Sequence, residues 1–204
     1  MCGIAGLLSS TPLPAAPVAV SAMLAALRHR GPDDQGTFHS PSRQAALAHA
    51  RLSILDLSSA GHQPIATPDG RYTLVFNGEI YNYRELREPL AARGVVFRSN
   101  SDTEVILRTY EAHGPACVEK FRGMFAFALW DEQEKTALLA RDPFGIKPLY
   151  YHATPGRLAF ASELRALLAA PGVPRAHSKQ GLVRKPFRSD DLAQALSAAF
   201  KRQS

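Results

Sequence analysis

The feature that most constrains the fold is a succession of short apolar runs separated by tight turns rather than by helices. Four such runs fill the second half of the chain, at 123–131, 135–141, 149–152 and 157–161. Strands joined by short turns pair antiparallel, whereas parallel neighbours need a long crossover connection. Because only a few helical segments interrupt the runs, the pattern predicts an α+β fold built on antiparallel sheets.

The rest of the chain supplies further strands and helices. Two helices are expected to open with capping boxes, Asn82-x-x-Glu85 and Ser101-x-x-Glu104. The remaining expectations are strands at 3–8, 45–54, 71–76 and 95–97, helices at 18–27, 82–93, 101–113 and 162–170, and a polar loop at 28–36.

Composition indicates one globular domain followed by a basic tail. The chain has 204 residues, of which 46% are hydrophobic and 21% charged, and no apolar run approaches the ~20 residues of a membrane span. The net charge is +6, but residues 171–204 carry +5 of it. We therefore expect a main domain at 2–168 that binds neither nucleic acid nor membrane. Residues 169–204 are expected to form a basic linker and tail with one amphipathic helix; nucleic-acid binding by this tail rests on its charge alone.

The cysteine count indicates a reducing compartment. Cys2 and Cys117 are too few for a disulfide framework, and the chain opens without a secretory signal pattern. A cytoplasmic protein is therefore expected. Cys117 stands among apolar residues and is interpreted as a buried, inert thiol.

Cys2 is the first candidate for chemistry. Removal of Met1 would leave Cys2 with a free α-amine, whose pKa is near ~7.7–8.0, so that a usable fraction is unprotonated at neutral pH. Such an amine can act as a base toward the thiol of its own residue. The alternative is that a cysteine occupies position 2 by chance.

Asn77-Gly78 supports two interpretations. The pair follows an apolar run, and Asn-Gly is a common hairpin turn. The following residues do not alternate like a returning strand, however. The Asn77 amide and the Gly78 backbone N–H could instead form an oxyanion hole, in which losing one donor typically lowers the rate by ~10²–10³-fold. The residues alone leave the two interpretations open.

Arg51 and Asp102 are charged residues that could recognise the two ends of an amino acid. Arg51 interrupts an apolar run, either on an exposed strand face or in a cleft, where it would grip a carboxylate. Asp102 lies within the second capping box and could complement the helix dipole or bind an ammonium group. The segment 142–148 is interpreted as a rigid structural connector.

Seven blocks of the chain, in order from its start to residue 151, form a highly specific set. They are Met1-Cys2-Gly3-Ile4-Ala5-Gly6, Arg28-His29-Arg30-Gly31-Pro32-Asp33, Ala50-Arg51-Leu52-Ser53-Ile54, Phe76-Asn77-Gly78-Glu79-Ile80-Tyr81-Asn82, Ser101-Asp102-Thr103-Glu104, Gly123-Met124-Phe125-Ala126-Phe127-Ala128 and Arg141-Asp142-Pro143-Phe144-Gly145-Ile146-Lys147-Pro148-Leu149-Tyr150-Tyr151. This set resembles the class II glutamine amidotransferase domain. Within that family it is most similar to the glutaminase half of glutamine-hydrolysing asparagine synthetases.

The resemblance implies a fold, an activity and a role for each matching residue. The fold would be a four-layer αββα sandwich of two antiparallel sheets, the N-terminal-nucleophile hydrolase type. The activity would be hydrolysis of the L-glutamine side-chain amide to glutamate and ammonia, with no metal or other cofactor. The catalytic residues would be Cys2, Asn77 and Gly78, and the substrate-binding residues would be Arg51, Leu52, Ile54, Glu79 and Asp102.

The chain departs from an asparagine synthetase in one large respect. It contains neither the Ser-Gly-Gly-x-Asp-Ser pyrophosphate loop of a synthetase domain nor a Walker-type phosphate loop. ATP and Mg would therefore matter only for a separate synthetase subunit acting in trans, and no ligase activity is expected from this chain. A truncated, non-catalytic remnant or a binding or regulatory subunit is the alternative. The sequence does not indicate an oligomeric state.

Overall fold

The computed structural model describes residues 1–53 and 61–175, which form two antiparallel sheets with helices on their outer faces. Short 3₁₀ segments cover Arg28–Arg30 and Gly114–Lys120. The helices are α1 (Ala16–Leu27), α2 (Tyr83–Ala92), α3 (Asp102–His113) and α4 (Leu164–Leu167). The strands are β1 (Gly3–Ser9), β2 (Asp34–His39), β3 (Ala45–Arg51), β4 (Ile65–Ala66), β5 (Tyr72–Ile80), β6 (Gly123–Asp131), β7 (Thr136–Arg141), β8 (Tyr150–Thr154) and β9 (Arg157–Ala161).

The strand order places β1 and β3 at the centre of one sheet and β5 and β6 at the centre of the other. The first sheet runs β2-β3-β1-β9-β8 and the second β4-β5-β6-β7. Ile4 of β1 lies opposite His49 of β3. Gly78 of β5 lies opposite Phe125 of β6. The register of β1 and β3 brings the start of β1 beside the end of β3.

Alternation along each strand divides the side chains between two layers of core. In β3, Leu47, His49 and Arg51 point between the sheets, whereas the intervening alanines point outward. Those small outward residues let α1 and α4 pack closely on the first sheet. α3 covers the outer face of the second sheet. The core between the sheets is formed by apolar side chains of both, including Ile4, Leu47, Val75, Trp130 and Phe160. The order of layers is thus helix, sheet, sheet, helix, as predicted.

Most predicted elements are present, but two segments were interpreted wrongly. The predicted loop at 28–36 contains the start of β2, whose polar residues pair with β3 position by position. Strand pairing here outweighs a composition that disfavours a strand. The predicted strand at 95–97 is absent from the described structure. There Phe97 packs its ring on the Arg87 guanidinium at 4.3 Å, against α2 rather than within a sheet.

The ends of several elements also differ from prediction. β3 ends at Arg51, and α4 spans four residues instead of the predicted 162–170. The capping boxes form only in part. Ser101 caps α3 by accepting a hydrogen bond from the Thr103 N–H at 3.1 Å, but Glu104 binds the backbone of the preceding loop. Asn82 stands before α2 and bonds the segment that leads into β6 instead of its own helix.

Two further expectations concern the tail and the second cysteine. The predicted amphipathic helix lies outside the described residues, as does Ile54. Cys117 is fully buried, so the prediction of a buried thiol is confirmed, and burial raises the pKa of this thiol to about 12. Within residues 1–53 and 61–175, no helix combines the length and apolarity needed to cross a bilayer.

Candidate active site

Cys2 lies just before β1, at the end of the inter-sheet space where β3 finishes. Its Sγ is 3.4 Å from the backbone nitrogen of Leu52 and 3.5 Å from the carbonyl oxygen of Leu52. The Cys2 carbonyl accepts a hydrogen bond from Arg30 Nε at 2.9 Å. Arg30 is in turn held by Glu163, with 2.9 Å between Nη1 and Oε1. The sulfur and the backbone of Cys2 therefore have separate anchors.

Arg51 is the last residue of β3 and directly precedes the residue whose peptide groups contact the sulfur. It is 8% exposed, so it is a cleft arginine and not part of an exposed strand face. Gly31 packs flat against the peptide that joins Ala50 to Arg51. A Cβ on Gly31 would lie 2.3 Å from the Ala50 carbonyl carbon, which only glycine avoids. Position 31 thus permits the loop after α1 to pack against the end of β3.

Asn77 and Gly78 lie inside β5, which continues to Ile80, so the hairpin-turn interpretation is wrong. Asn77 is 1% exposed and points between the sheets. Among the described residues, its Nδ2 is buried without a hydrogen-bond partner. Gly78 has a steric reason to be glycine, because a Cβ there would lie 2.2 Å from the Met124 carbonyl oxygen of β6.

One side of β5 is paired with side chains instead of a strand, because β4 covers only its start. Alternate residues of an antiparallel strand direct their N–H and C=O groups to the same side. The Phe76 N–H donates to Gln63 Oε1 at 2.7 Å, and the Ile80 N–H donates to Asp102 Oδ2 at 2.9 Å. Gly78 lies midway between them, so its N–H points to the same side. We call this side of β5, which carries the N–H groups of Phe76, Gly78 and Ile80 and which β4 does not reach, the open edge of β5.

Asp102, the first residue of α3, is a buried carboxylate beside this open edge. It is 4% exposed. Burial raises the pKa of Asp102 to about 6; the negative charge of Glu79 raises it further, and the N–H groups of Ile80 and Thr103 oppose the shift. Glu79 follows Asn77 by two residues and so shares its face of β5. This corner is therefore negative, whereas Arg51 makes the β3 side positive.

His49 and Gln63 are two residues of the site that the sequence reasoning missed. His49 Nε2 is 3.0 Å from the Phe76 carbonyl oxygen, and a carbonyl only accepts, so Nε2 carries the proton. Burial lowers the pKa of His49 to about 4, and the ring is neutral near pH 7. Gln63 also donates to Thr103 Oγ1 at 3.3 Å. A signal existed for His49, which precedes Arg51 by two residues and so shares its face, but none for Gln63.

The structure places the predicted site residues in two groups at one end of the sandwich. The first group is Cys2, Arg51 and Leu52; the second is Asn77, Gly78, Glu79 and Asp102. His49 connects the two groups, because it lies on β3 near Arg51 and its ring bonds the Phe76 carbonyl. Ile54 lies outside the described residues. Over the described ranges, no three His, Cys, Asp or Glu residues are clustered so as to hold a metal ion. A thiol, the Asn77 amide that has no partner among the described residues, and charges of both signs suit a small zwitterion.

A family model described as a glutamine amidotransferase domain matches residues 1–199. The chain belongs to this family. The amidotransferase domain is 44% identical over 175 residues to asparagine synthetase [glutamine-hydrolyzing] 1 of Bacillus subtilis, which covers 83% of this chain and 27% of that protein. It is 41% identical over 143 residues to amidase chry2 of Gibberella zeae, covering 70% of this chain and 21% of that protein. The chain thus spans about a quarter of the length of these curated relatives.

Solved structures show the fold of the amidotransferase domain. The glutamine phosphoribosylpyrophosphate amidotransferase of B. subtilis matches with a TM-score of 0.69 and 21% identity, over 82% of this chain and 43% of that one. At this identity the likeness concerns the fold alone, and it confirms the predicted sandwich of the N-terminal-nucleophile hydrolase type. The predicted resemblance to asparagine synthetases is also confirmed.

Proposed function

We propose that this domain hydrolyses the side-chain amide of L-glutamine, with Cys2 as the nucleophile. The observation that carries the proposal is the contact between Cys2 Sγ and the peptide of Leu52. It sets the sulfur beside Arg51, at the end of the sandwich where β5 has its open edge. A nucleophile, a cation and hydrogen-bond donors then border one site, which is the set that acyl transfer from an amino acid requires.

The charges of the site support a free amino acid as the substrate. Arg51 binds the α-carboxylate through its two parallel N–H groups, with Leu52 beside it in the chain. Ile54, which was predicted to take part in binding, lies outside the described residues. Glu79 and Asp102 bind the α-ammonium group. The raised pKa of Asp102 supports this role, because a buried carboxylate with incomplete compensation is stabilised by a bound cation.

Activation of the nucleophile begins with removal of Met1. Met1 is 58% exposed and is thus accessible to an aminopeptidase. The α-amine released on Cys2 takes the proton of the thiol within the same residue. The Leu52 N–H, 3.4 Å from the sulfur, stabilises the thiolate. Because Arg30 grips the Cys2 carbonyl, the residue keeps its position after Met1 is removed.

The reaction then proceeds through a thioester. The thiolate of Cys2 attacks the amide carbon, a C–S bond forms, and the oxyanion accepts hydrogen bonds from Asn77 Nδ2 and the Gly78 N–H. The C–N bond breaks, and the Cys2 ammonium returns its proton to the leaving nitrogen as ammonia departs. Water, deprotonated by the same amine, hydrolyses the thioester to glutamate and restores the thiol. Every atom comes from glutamine or water, so the sequence of steps calls for no cofactor.

The released ammonia is proposed to serve a ligase site in trans. Support comes from the asparagine synthetase relatives, of which this chain spans about a quarter. We also propose a cytoplasmic location, because Cys2 and Cys117 are both free thiols, which fits a reducing compartment.

Covalent trapping tests the proposal directly. Protein lacking Met1 is treated with a diazo-ketone analogue of glutamine, the adduct is located by mass spectrometry, and ammonia release from glutamine is measured. We expect one adduct on Cys2 and ammonia release that Cys2→Ala abolishes. Cys117→Ala is the matched control and retains both. No adduct and no ammonia from a correctly processed N-terminus would instead support the non-catalytic remnant.

A further inference from the structure

We propose that His49 and Gln63 are positioning residues for the oxyanion hole, acting together through the backbone of Phe76. The inference rests on the proposed function, since it concerns how Asn77 and Gly78 are held for the reaction. Neither side chain is proposed to touch the substrate.

The two side chains replace a strand that β4 does not supply. At Phe76, the open side of β5 needs one acceptor for the N–H and one donor for the C=O. Gln63 Oε1 accepts from the N–H at 2.7 Å, and His49 Nε2 donates to the C=O at 3.0 Å. His49 is completely buried and Gln63 is 6% exposed, so water does not compete for either bond. A neighbouring residue of a β-ladder would make the same two bonds.

Holding Phe76 fixes the groups that follow it. The Phe76 carbonyl belongs to the rigid peptide plane that ends at the Asn77 Cα, so its tilt sets the direction of the Asn77 side chain. Gly78 lies one residue further, and its N–H direction depends on the same stretch of backbone. A displacement of ~1 Å at a reacting centre can lower a rate by ~10²-fold. Two buried hydrogen bonds at Phe76 thus control both proposed oxyanion donors.

The same two residues also connect the oxyanion donors to the groups proposed to bind the substrate. His49 lies on β3, two residues before Arg51. Gln63 donates to Thr103, which adjoins Asp102 at the start of α3. Phe76 is therefore held both by His49 of β3, the strand that carries Arg51, and by Gln63, which is bonded to the start of α3.

Stability alone does not account for an imidazole at position 49. With its proton on Nε2, the ring leaves Nδ1 as an acceptor, and among the described residues Nδ1 is buried with no hydrogen-bond partner. An unsatisfied buried polar atom costs stability, but an apolar side chain would only move that cost to the Phe76 carbonyl, which would lose its donor. The imidazole is nevertheless present where its Nε2 reaches the Phe76 carbonyl, which favours a role in geometry.

Matched substitutions separate positioning from packing. His49→Gln keeps an amide N–H at about the reach of Nε2, whereas His49→Met has a similar length and no donor. Gln63→Met likewise removes the acceptor at constant length. We expect His49→Gln to keep kcat for glutamine hydrolysis within about threefold of wild type. His49→Met and Gln63→Met should lower kcat by ~10–100-fold, with KM changed by no more than about twofold.

Alkylation of Cys2 by iodoacetamide is the second measurement, because it needs the thiolate but no oxyanion hole. The alkylation rate should stay within about twofold of wild type in all three variants. Thr109→Val, which removes a buried hydrogen bond within α3, is the control for lost stability and should keep kcat. The double variant with His49→Met and Gln63→Met should lose less kcat than the product of the two single losses, since both side chains act through Phe76.

The outcomes distinguish this inference from the proposed function. If wild type hydrolyses glutamine and His49→Met and Gln63→Met keep kcat within about twofold, positioning is wrong and the function stands. Equal losses in His49→Gln and His49→Met, or losses that appear in KM, also overturn positioning. A wild type with a Cys2 N-terminus that releases no ammonia overturns both.

Discussion

The two halves of β5 differ in what covers their backbone, and the difference explains where the site lies. Residues 72–74 have β6 on one side and, from residue 73, β4 on the other, so strands satisfy their hydrogen bonds. Residues 76–80 have β6 on one side and the side chains of His49, Gln63 and Asp102 on the other. Because β4 is only two residues long, side chains pair with the N–H groups of Phe76 and Ile80 beyond it, and the Gly78 N–H lies between them. The early end of β4 therefore leaves the Gly78 N–H beyond the reach of an edge strand, at the position proposed for the oxyanion.

A similar contrast separates two buried carboxylates. Asp142, 3% exposed, accepts hydrogen bonds from the backbone N–H groups of Phe125, Ile146 and Lys147 at 3.3, 2.8 and 3.0 Å. These bonds brace the loop that the sequence indicated as a structural connector. Asp102 accepts a hydrogen bond from the Ile80 N–H at 2.9 Å, and burial nevertheless raises its pKa to about 6. A carboxylate held by the backbone of its loop and of β6 supports structure, whereas the buried charge of Asp102 is the one proposed to bind a cation.

The largest effect is expected in the second half of β5. Asn77→Ala removes one proposed oxyanion donor and should lower kcat for glutamine hydrolysis by ~10²–10³-fold, equivalent to about 3–4 kcal/mol. KM should change little, because the hydrogen bond forms fully only in the transition state. Steady-state kinetics from ammonia release measure both constants. A loss confined to KM would show that Asn77 binds the ground state instead.

A core substitution in the first half should have the opposite signature. Leu74→Ala removes a fully buried side chain that packs between β5 and α3, and should lower the free energy of unfolding by about 3 kcal/mol. At a temperature where the variant is folded, kcat should remain within about twofold of wild type. Urea denaturation and ammonia release, run on the same sample, check the two halves of this expectation. A large fall in kcat would mean that the two parts of β5 are coupled.

The sequence pointed to those proposed site residues whose chemistry conflicts with their surroundings. Cys2 follows a removable methionine, Arg51 interrupts an apolar run, and Asp102 opens an apolar helix; each is visible without a partner. The strand run at 71–76 was also visible, but its continuation through Asn77-Gly78 was not, because local turn propensity gives no information about pairing with β6. Structure settled that choice through the register of β5 and β6.

Other features depend on residues far apart in the chain and could not be predicted. β2 is polar and became a strand because it pairs with β3. Gln63 stands in a polar segment without periodicity, and its bond to the Phe76 N–H spans 13 positions. The local pattern around position 63 resembles that of many surface loops. A residue of this kind can be identified only once the fold is known.

The buried charge of Asp102 should make the stability of the domain depend on pH. Its folded-state pKa, about 6, lies above the ordinary value, so its contribution to stability is full at pH below about 4 and is lost as pH rises through 6. Asp102→Asn keeps an oxygen for the Ile80 N–H and removes the buried charge. The variant should therefore exceed wild type in unfolding free energy by roughly 1–2 kcal/mol at pH 7.5. The gap should shrink at pH 4.5, as urea denaturation at the two pH values would show.

The same carboxyl should affect substrate binding in the opposite direction. In wild type, protonation of Asp102 below pH 6 removes the negative charge proposed to bind the α-ammonium group, so KM for glutamine should rise as pH falls. Asp102→Asn should have a raised KM at pH 7.5 and a flatter KM profile between pH 5 and 7.5. An unchanged KM in the variant would transfer the amine-binding role to Glu79 alone.

The smallest effect is expected from Thr73→Val, in the strand-covered half of β5. Thr73 is 1% exposed, and its Oγ1 is buried without a hydrogen-bond partner among the described residues. Valine has nearly the same shape and replaces an unsatisfied hydroxyl with a methyl group that the inter-sheet core accommodates. The free energy of unfolding should stay constant or rise by up to about 1 kcal/mol. Since strands hold this half of β5 in place, kcat should equal that of wild type within error, and a fall of more than twofold would contradict the division of β5 into a structural and a functional half.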